Sequence, residues 1–468
     1  MTQPVILWFR QDLRVTDHPA LTAAAAAGPV IPIYILDDET PGDWRWGGAS
    51  RWWLHRSLES LGAHMPLVLR RGKADLVLDD VMRKTGASAI YFTRDYAPWS
   101  GALETRVKSM SEKHGIDCHR FGGSLLHEPE SIRNGSGQFF KVYTPFSRSC
   151  FANGEPRLAK PAPVVDFRKN ALVADGLSDW QLLPHRPNWA TGLEAAWQPG
   201  EAGAQALLTQ FLDEGLADYA EGRDRPDKAF TSRLSAHLHW GEISPYQIWH
   251  ATRQAMEVAG GRLDRSGEKF LKEILWREFS YHLLHHVPTF PSEPFRSDFA
   301  DFPWADDPAG LQRWQKGQTG YPIVDAGMRE LWTTGIMHNR VRMIVASFLV
   351  KDLLVPWQAG EAWFWDTLVD ADIASNSASW QWVAGCGADA APYFRVFNPV
   401  LQGQKFDPQG DYVRKWVPEL AGIAADRIHC PWEMTVPPKN YPAPMINHGI
   451  ARDRALAAFQ KIKKETTT

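Results

Sequence analysis

Val5-Ile6-Leu7-Trp8-Phe9, an alanine-rich segment from Ala20, then Val30-Ile31-Pro32-Ile33-Tyr34-Ile35-Leu36: the reading of this opening decides the fold. Two continuous apolar runs flank a helix-prone stretch, the pattern of strands buried on both faces of a parallel sheet. Gly28, Pro29 and Pro32 break the stretch, so it reads as a helix end followed by a strand and not as a membrane span. The rhythm continues. Further strand-like runs fall at Pro66–Leu69, Ala89–Phe92 and Asp117–Phe121, with amphipathic segments at Arg51–Leu61, Ala74–Thr85 and Gly101–His114 between them. Residues 1–130 are therefore expected to form an α/β domain, an open parallel sheet of Rossmann-like type. Such sheets bind ligands at the carboxyl ends of their strands. No GxGxxG follows the first strand and no GxxxxGK[ST] occurs, so a standard dinucleotide or triphosphate loop is not supported.

Beyond residue 130 the pattern changes. Pro156, Pro161, Pro163, Pro184, Pro187 and Pro199 punctuate a stretch without periodicity, so 131–200 is expected to be an interdomain linker. From 201 to 468 helical patterns dominate, and Ser244-Pro245-Tyr246-Gln247 carries a capping box with proline at the first helical position. A chain of 468 residues exceeds the roughly 250–300 at which single cores stop growing, which agrees with a second, larger all-helical domain. Its net charge of −3 excludes a polycation that holds nucleic acid by bulk attraction, so any such contact must come from a local patch. Four cysteines, Cys118, Cys150, Cys386 and Cys430, lie far apart without a CxxC pair, which argues against a zinc site or disulfide framework and suits the cytoplasm. The N-terminus lacks signal-peptide features. The outlier is tryptophan, with 22 residues, which suggests packing, stacking or electron transfer.

Four segments concentrate unusual residues. Thr231-Ser232-Arg233-Leu234-Ser235, with Tyr219 and Arg223 upstream, offers hydroxyls and an arginine at a helix start, a cradle for a pyrophosphate or simple N-capping. Glu273, Trp276 and Arg277 share one helix face, suited to a flat hydrogen-bonding ligand or to a packed ion pair. In Met337–Met343, spacing puts Asn339, Arg342 and Met343 on one face and Arg340 elsewhere, while His338 reads as a structural histidine. In Asp370-Ala371-Asp372 and the residues after it, Asp372, Asn376 and Trp380 line up at successive i, i+4 steps. That stripe is poor core material unless it meets a polar ligand. With no histidine or further carboxylate nearby, no metal is expected there.

In series, WFRQDLRVTDHPAL, TSRLS, LKEILWREF, GYPIVDAGMREL, MHNRVRM, ASFLVKDLL, NSASWQW and DAAPYFRVFNP resemble the DNA photolyase/cryptochrome family over essentially the whole chain. The resemblance implies a helical domain holding a noncovalent FAD, active as FADH−, that donates an electron on excitation to a flipped-out cyclobutane pyrimidine dimer. It places the FAD phosphates on Tyr219, Thr231, Ser232, Arg233, Leu234 and Ser235. The isoalloxazine would meet Asp370, Ala371, Asp372 and Asn376, with Arg342 paired to Asp370. Glu273, Trp276, Asn339, Met343 and Trp382 would form the lesion pocket, with Arg223, Arg277, Arg340 and Gln402 as further DNA contacts. Trp380, Trp357 and Trp304 would relay electrons to the flavin. Relatives that repair (6-4) photoproducts carry two histidines where this chain has Asn339 and Met343, which favours cyclobutane dimers. The run Phe92–Trp99 lacks the Asn-Glu pair that holds a folate in one bacterial group, so the expected antenna chromophore is a reduced folate or a deazaflavin. UV-damaged DNA is the expected partner of a monomer with no membrane contact. A light-signalling cryptochrome is the alternative, against which stands Asn376 where plant-type receptors have aspartate. A flavin oxidoreductase lacks any residue set for a nicotinamide.

Overall fold

The computed structural model describes residues 3–168, 172–389 and 394–465; residues 390–393, inside the DAAPYFRVFNP block, lie outside it. The five expected strands form one parallel sheet, β1 (Val5–Phe9), β2 (Val30–Leu36), β3 (Val68–Arg71), β4 (Ala89–Thr93) and β5 (Asp117–Phe121). Their order is β3-β2-β1-β4-β5. Helices α1 (Pro19–Ala27), α2 (Gly48–Gly62), α3 (Ala74–Thr85) and α4 (Ser100–Lys113) connect them. The three inner strands are buried along their whole length, which is why they read as unbroken apolar runs. β5 lies at an edge and exposes Asp117, His119 and Arg120. β3 starts two residues later than the sequence suggests. The Leu67 N–H turns back to the Met65 carbonyl, so Pro66 and Leu67 do not join the ladder.

Compactness does not divide the chain at residues 130 and 200. One unit comprises residues 1–140, 144–217 and 232–288, and the other 141–143, 218–231 and 289–468. The first thus takes in most of the proline-rich connector and the helices Ser235–His239, Pro245–Val258 and Asp264–His286. The loop after β1 explains the union. Arg14 is 1% exposed, and its guanidinium donates to the carbonyls of Thr16 (3.1 Å), Asp17 (2.8 Å) and Gly241 (2.9 Å). The Leu13 N–H reaches the Trp240 carbonyl at 3.1 Å. Gly241 has φ +66°, and a Cβ there would lie 2.1 Å from the Gln11 carbonyl oxygen, so only glycine fits. Asp17, itself at φ +51°, accepts from Arg157, the Lys160 N–H and the Ser244 hydroxyl. His18 caps α1 by accepting from the Leu21 N–H, and its other ring nitrogen lies 3.0 Å from Asp12. Burial alone would raise the Asp12 pKa, yet His18, Thr93 and the Arg10 N–H outweigh it and hold it near about 2.

The second unit is helical. Its helices Pro322–Thr334, Asn339–Ser347, Trp357–Thr367, Ile373–Ala384, Pro399–Phe406 and His448–Glu465 carry the remaining constellations. Among the described residues no helix is long and apolar enough to cross a membrane.

Arg14→Met keeps the length and the apolar stem but strands several buried carbonyls. It should lower the unfolding free energy by about 3 kcal/mol or more, at roughly 1–3 kcal/mol per unsatisfied group. The measurement is the shift of the urea midpoint; a midpoint within error of the parent would refute the clamp.

Candidate functional site

The Asp370–Trp382 segment is held at both ends. Asp370 forms an ion pair with Arg342, whose Nη2 lies 3.0 and 2.9 Å from the two carboxylate oxygens while its Nε donates to the Met337 carbonyl at 2.7 Å. Asp372 is the N-cap of the helix Ile373–Ala384, accepting from the Ser375 N–H at 2.7 Å. Asp370, Asp372 and Asn376 are all buried, as is Ala371. The Asn376 side-chain amide donates to the Glu361 carbonyl at 3.1 Å, which turns its own oxygen away from that helix. Burial pushes the Glu361 carboxyl up to about 8 against the Ser377 hydroxyl that bonds it, so it is protonated at neutral pH. The i, i+4 stripe seen in the sequence is therefore real, and it is buried.

Trp380 completes the stripe. It is 2% exposed, and its indole N–H has no hydrogen-bond partner. Gly360 makes room for it, since a Cβ there would lie 2.1 Å from the indole. Trp357 is one helical turn before Gly360 on the same face, and is also buried. Trp304 is half-buried, with its ring 4.4 Å from that of Phe302. Trp382 donates its N–H to the Asp389 carbonyl at 3.1 Å.

The helix Asn339–Ser347 begins where the sequence suggests. His338 is its N-cap, accepting from the Arg340 N–H, and burial depresses its pKa to about 4. It is a neutral structural histidine. Asn339 is exposed, and Arg342 and Met343 follow on its face. Arg340 does not project elsewhere as expected. Its guanidinium lies 3.6 Å from the Met343 sulfur, 3.0 Å from Asp224 and over the Phe406 ring. With Gln402 it lines a groove of about 890 Å³ that also holds Arg395, Lys405, Arg452 and His448. Lys405, Arg395 and Arg452 were not singled out from the sequence, where single basic residues among apolar ones give no signal. Tyr219 is buried, with the Arg223 guanidinium 5.5 Å from its ring centre.

In the first unit, Glu273, Trp276 and Arg277 are half-buried on the helix Asp264–His286, with Ile274, Leu275 and Glu278 facing the core. Arg277 is drawn inward. It donates to the Ser124 carbonyl at 2.8 Å, lies 3.5 Å from buried Glu278, and covers the Tyr281 ring. The spacing found the shared face but not this tether, which depends on a residue 153 positions away. Helix Ser235–His239 has no side-chain cap, so the hydroxyls of Thr231, Ser232 and Ser235 are not spent on N-capping. Arg233, at φ +54°, lies over Trp197 and donates to the Ala196 carbonyl. Leu234 is buried.

These residues fit a flavin nucleotide by the chemistry of the donor set. Uncapped hydroxyls suit phosphates, and a neutralised Asp370, an oriented Asn376 amide and an unpartnered Trp380 indole suit a flat polar ring. None of the four free cysteines lies within the Asp370–Trp382 stripe or the Thr231–Ser235 run.

Comparison with known proteins agrees. Residues 5–164 match the DNA photolyase family model, and residues 270–461 match that of the FAD binding domain of DNA photolyase. The chain is 48% identical to the deoxyribodipyrimidine photo-lyase of Agrobacterium fabrum over 99% of both chains. It is 37% identical to cryptochrome-1 of Arabidopsis thaliana, over 98% of this chain and 70% of that protein. Among solved structures, a bacterial class III photolyase from Agrobacterium tumefaciens superposes with a TM-score of 0.95 at 47% identity, covering 99% of this chain and 98% of that one. The chain belongs to the DNA photolyase family.

Proposed function

We propose that the protein repairs cyclobutane pyrimidine dimers in UV-damaged DNA with light, acting as a cytoplasmic monomer with noncovalent FAD in its reduced form. The observation that carries this reading is the buried Asp370–Asp372–Asn376 stripe with its Arg342 ion pair, lying inside the matched FAD-binding segment. When bound, reduced FAD supplies the light-driven electron that opens the dimer and is afterwards returned. Arg342 cancels the charge of Asp370, so the polar wall facing the ring is held without an unpaired buried anion. The Glu361 carbonyl fixes the orientation of Asn376. Tyr219 and the Thr231–Ser235 run bind the phosphates, with Arg233 acting through its hold on Trp197.

Lesion recognition falls to Glu273, Trp276, Asn339, Met343 and Trp382. Extruding a damaged pair costs a few kcal/mol, and stacking on Trp276 and Trp382 returns about 1–3 kcal/mol per base. Glu273 hydrogen-bonds the lesion and stabilises the charge that develops on it. Arg223, Arg340 and Gln402 position the DNA backbone, whereas Arg277, tied to Ser124, holds the helix that carries Glu273 and Trp276. A second chromophore, a reduced folate or a deazaflavin, gathers light.

The direct test is illumination of a dimer-containing thymine oligomer with purified protein whose flavin has been reduced. Restored thymine is expected; no repair would favour the light-signalling reading. Trp380→Phe should block photoreduction of oxidised flavin yet leave repair largely intact once flavin is reduced chemically. Equal photoreduction rates in parent and variant would place the relay elsewhere. On the DNA side, Arg340→Ala should weaken damaged and undamaged DNA alike and lower the slope of log affinity against log salt by about one unit. Trp276→Ala should weaken only dimer-containing DNA. Titrations at several salt concentrations separate the two, and equal losses on both DNAs for Trp276→Ala would sink the pocket assignment.

A further inference from the structure

Trp332 is an anomaly among the tryptophans. It is 55% exposed on the helix Pro322–Thr334, and its ring lies parallel to that of Trp363, 6° between planes and 6.0 Å between centres. A large indole left in water normally marks a contact or a task. Trp363 is half-buried on the helix Trp357–Thr367, three residues after Gly360 and therefore on the Gly360 face. Gly360 is where the Trp380 ring seats. The next residue, Phe364, meets Trp380 edge-on at 5.0 Å, and Trp314 lies 6.2 Å from both rings. An aromatic path thus runs from the buried indole of Trp380, across Gly360 and Phe364, to a stacked indole pair at the surface. It starts on the same helix face as Trp357 but leads to a different place from Trp304.

We propose that the Trp332–Trp363 stack is a second electron-entry port, a branch that ends on two stacked indoles. The inference rests on the flavin reading above. Two parallel rings share a positive charge better than one, so the stack is a sink for the electron vacancy left on Trp380 when oxidised flavin takes one electron. The vacancy passes to the stack as one electron moves from Trp332 or Trp363 toward Trp380. An external thiol then returns one electron to the exposed Trp332 and loses its proton to water, becoming a thiyl radical that couples to disulfide. No atom of the protein changes in the full cycle. The half-exposure of Trp332 is what gives the thiol access.

Two measurements test the branch in the flavin-loaded protein. In a Trp304→Phe background, residual photoreduction of flavin with added thiol should persist, and adding Trp332→Phe with Trp363→Phe should abolish it. Unchanged residual photoreduction in the triple variant would overturn the proposal. Separately, blue illumination in air without thiol should leave oxygen added to Trp332, read by mass spectrometry of its peptide, in the parent but not in Trp380→Phe. Oxidation that persists in Trp380→Phe would mean dissolved oxidants attack an exposed ring directly, which also refutes the port. Absence of flavin absorbance in the parent would instead sink the flavin reading itself.

Discussion

The first unit depends on one buried guanidinium. In a parallel sheet of order β3-β2-β1-β4-β5 the space beyond the carboxyl end of β1 is where a nucleotide usually sits. Here the loop leaving β1 fills that space with its own charges. Arg14 gathers carbonyls from the loop and from Gly241, Asp17 gathers Arg157, Lys160 and Ser244, and Asp12 faces His18. Every partner is a hydrogen-bonding group that burial would otherwise leave unsatisfied, so the loop and the 235–245 segment hold each other in place. The absence of a glycine-rich phosphate loop after β1 has this as its structural counterpart.

The second unit handles buried polarity by neutralising it group by group. Asp370 is cancelled by Arg342, Glu361 is kept protonated by burial, and His338 is kept neutral by the same cause. Asp372 is spent on a helix start. What remains facing outward from this scaffold is oriented dipole rather than free charge. Such a wall suits a cofactor that must change its electron count without rearranging its surroundings. The cationic side chains are kept apart from it, in the groove of Arg340, Arg395, Lys405 and Arg452, where they remain accessible to a polyanion.

Much of this was legible in the sequence because the signals are local. Continuous apolar runs located all five strands, and β3 slipped only because Pro66 and Leu67 turn before the ladder begins. Helical spacing grouped Asp372, Asn376 and Trp380, and grouped Glu273, Trp276 and Arg277. The signals failed where the deciding partner is remote. Nothing near Arg277 foretells Ser124, nothing near Arg340 foretells Asp224 and Phe406, and nothing in the proline-rich stretch foretells that it packs with the sheet. Arg340 also shows that a long side chain can leave the face that its Cα occupies. The exposed Trp332 had no motif to announce it; only the stack with Trp363 distinguishes it from packing tryptophans.

Gly241 carries a consequence for how such proteins are recombined. With no space for a Cβ against the Gln11 carbonyl and a left-handed backbone, it fixes the approach of two segments that lie 230 positions apart in the sequence. A chimera that takes the sheet from one relative and everything after residue 200 from another would cut through this contact. The interchangeable module is therefore discontinuous: the sheet travels with the 232–288 helices, and the natural crossover points are the edges of that insert.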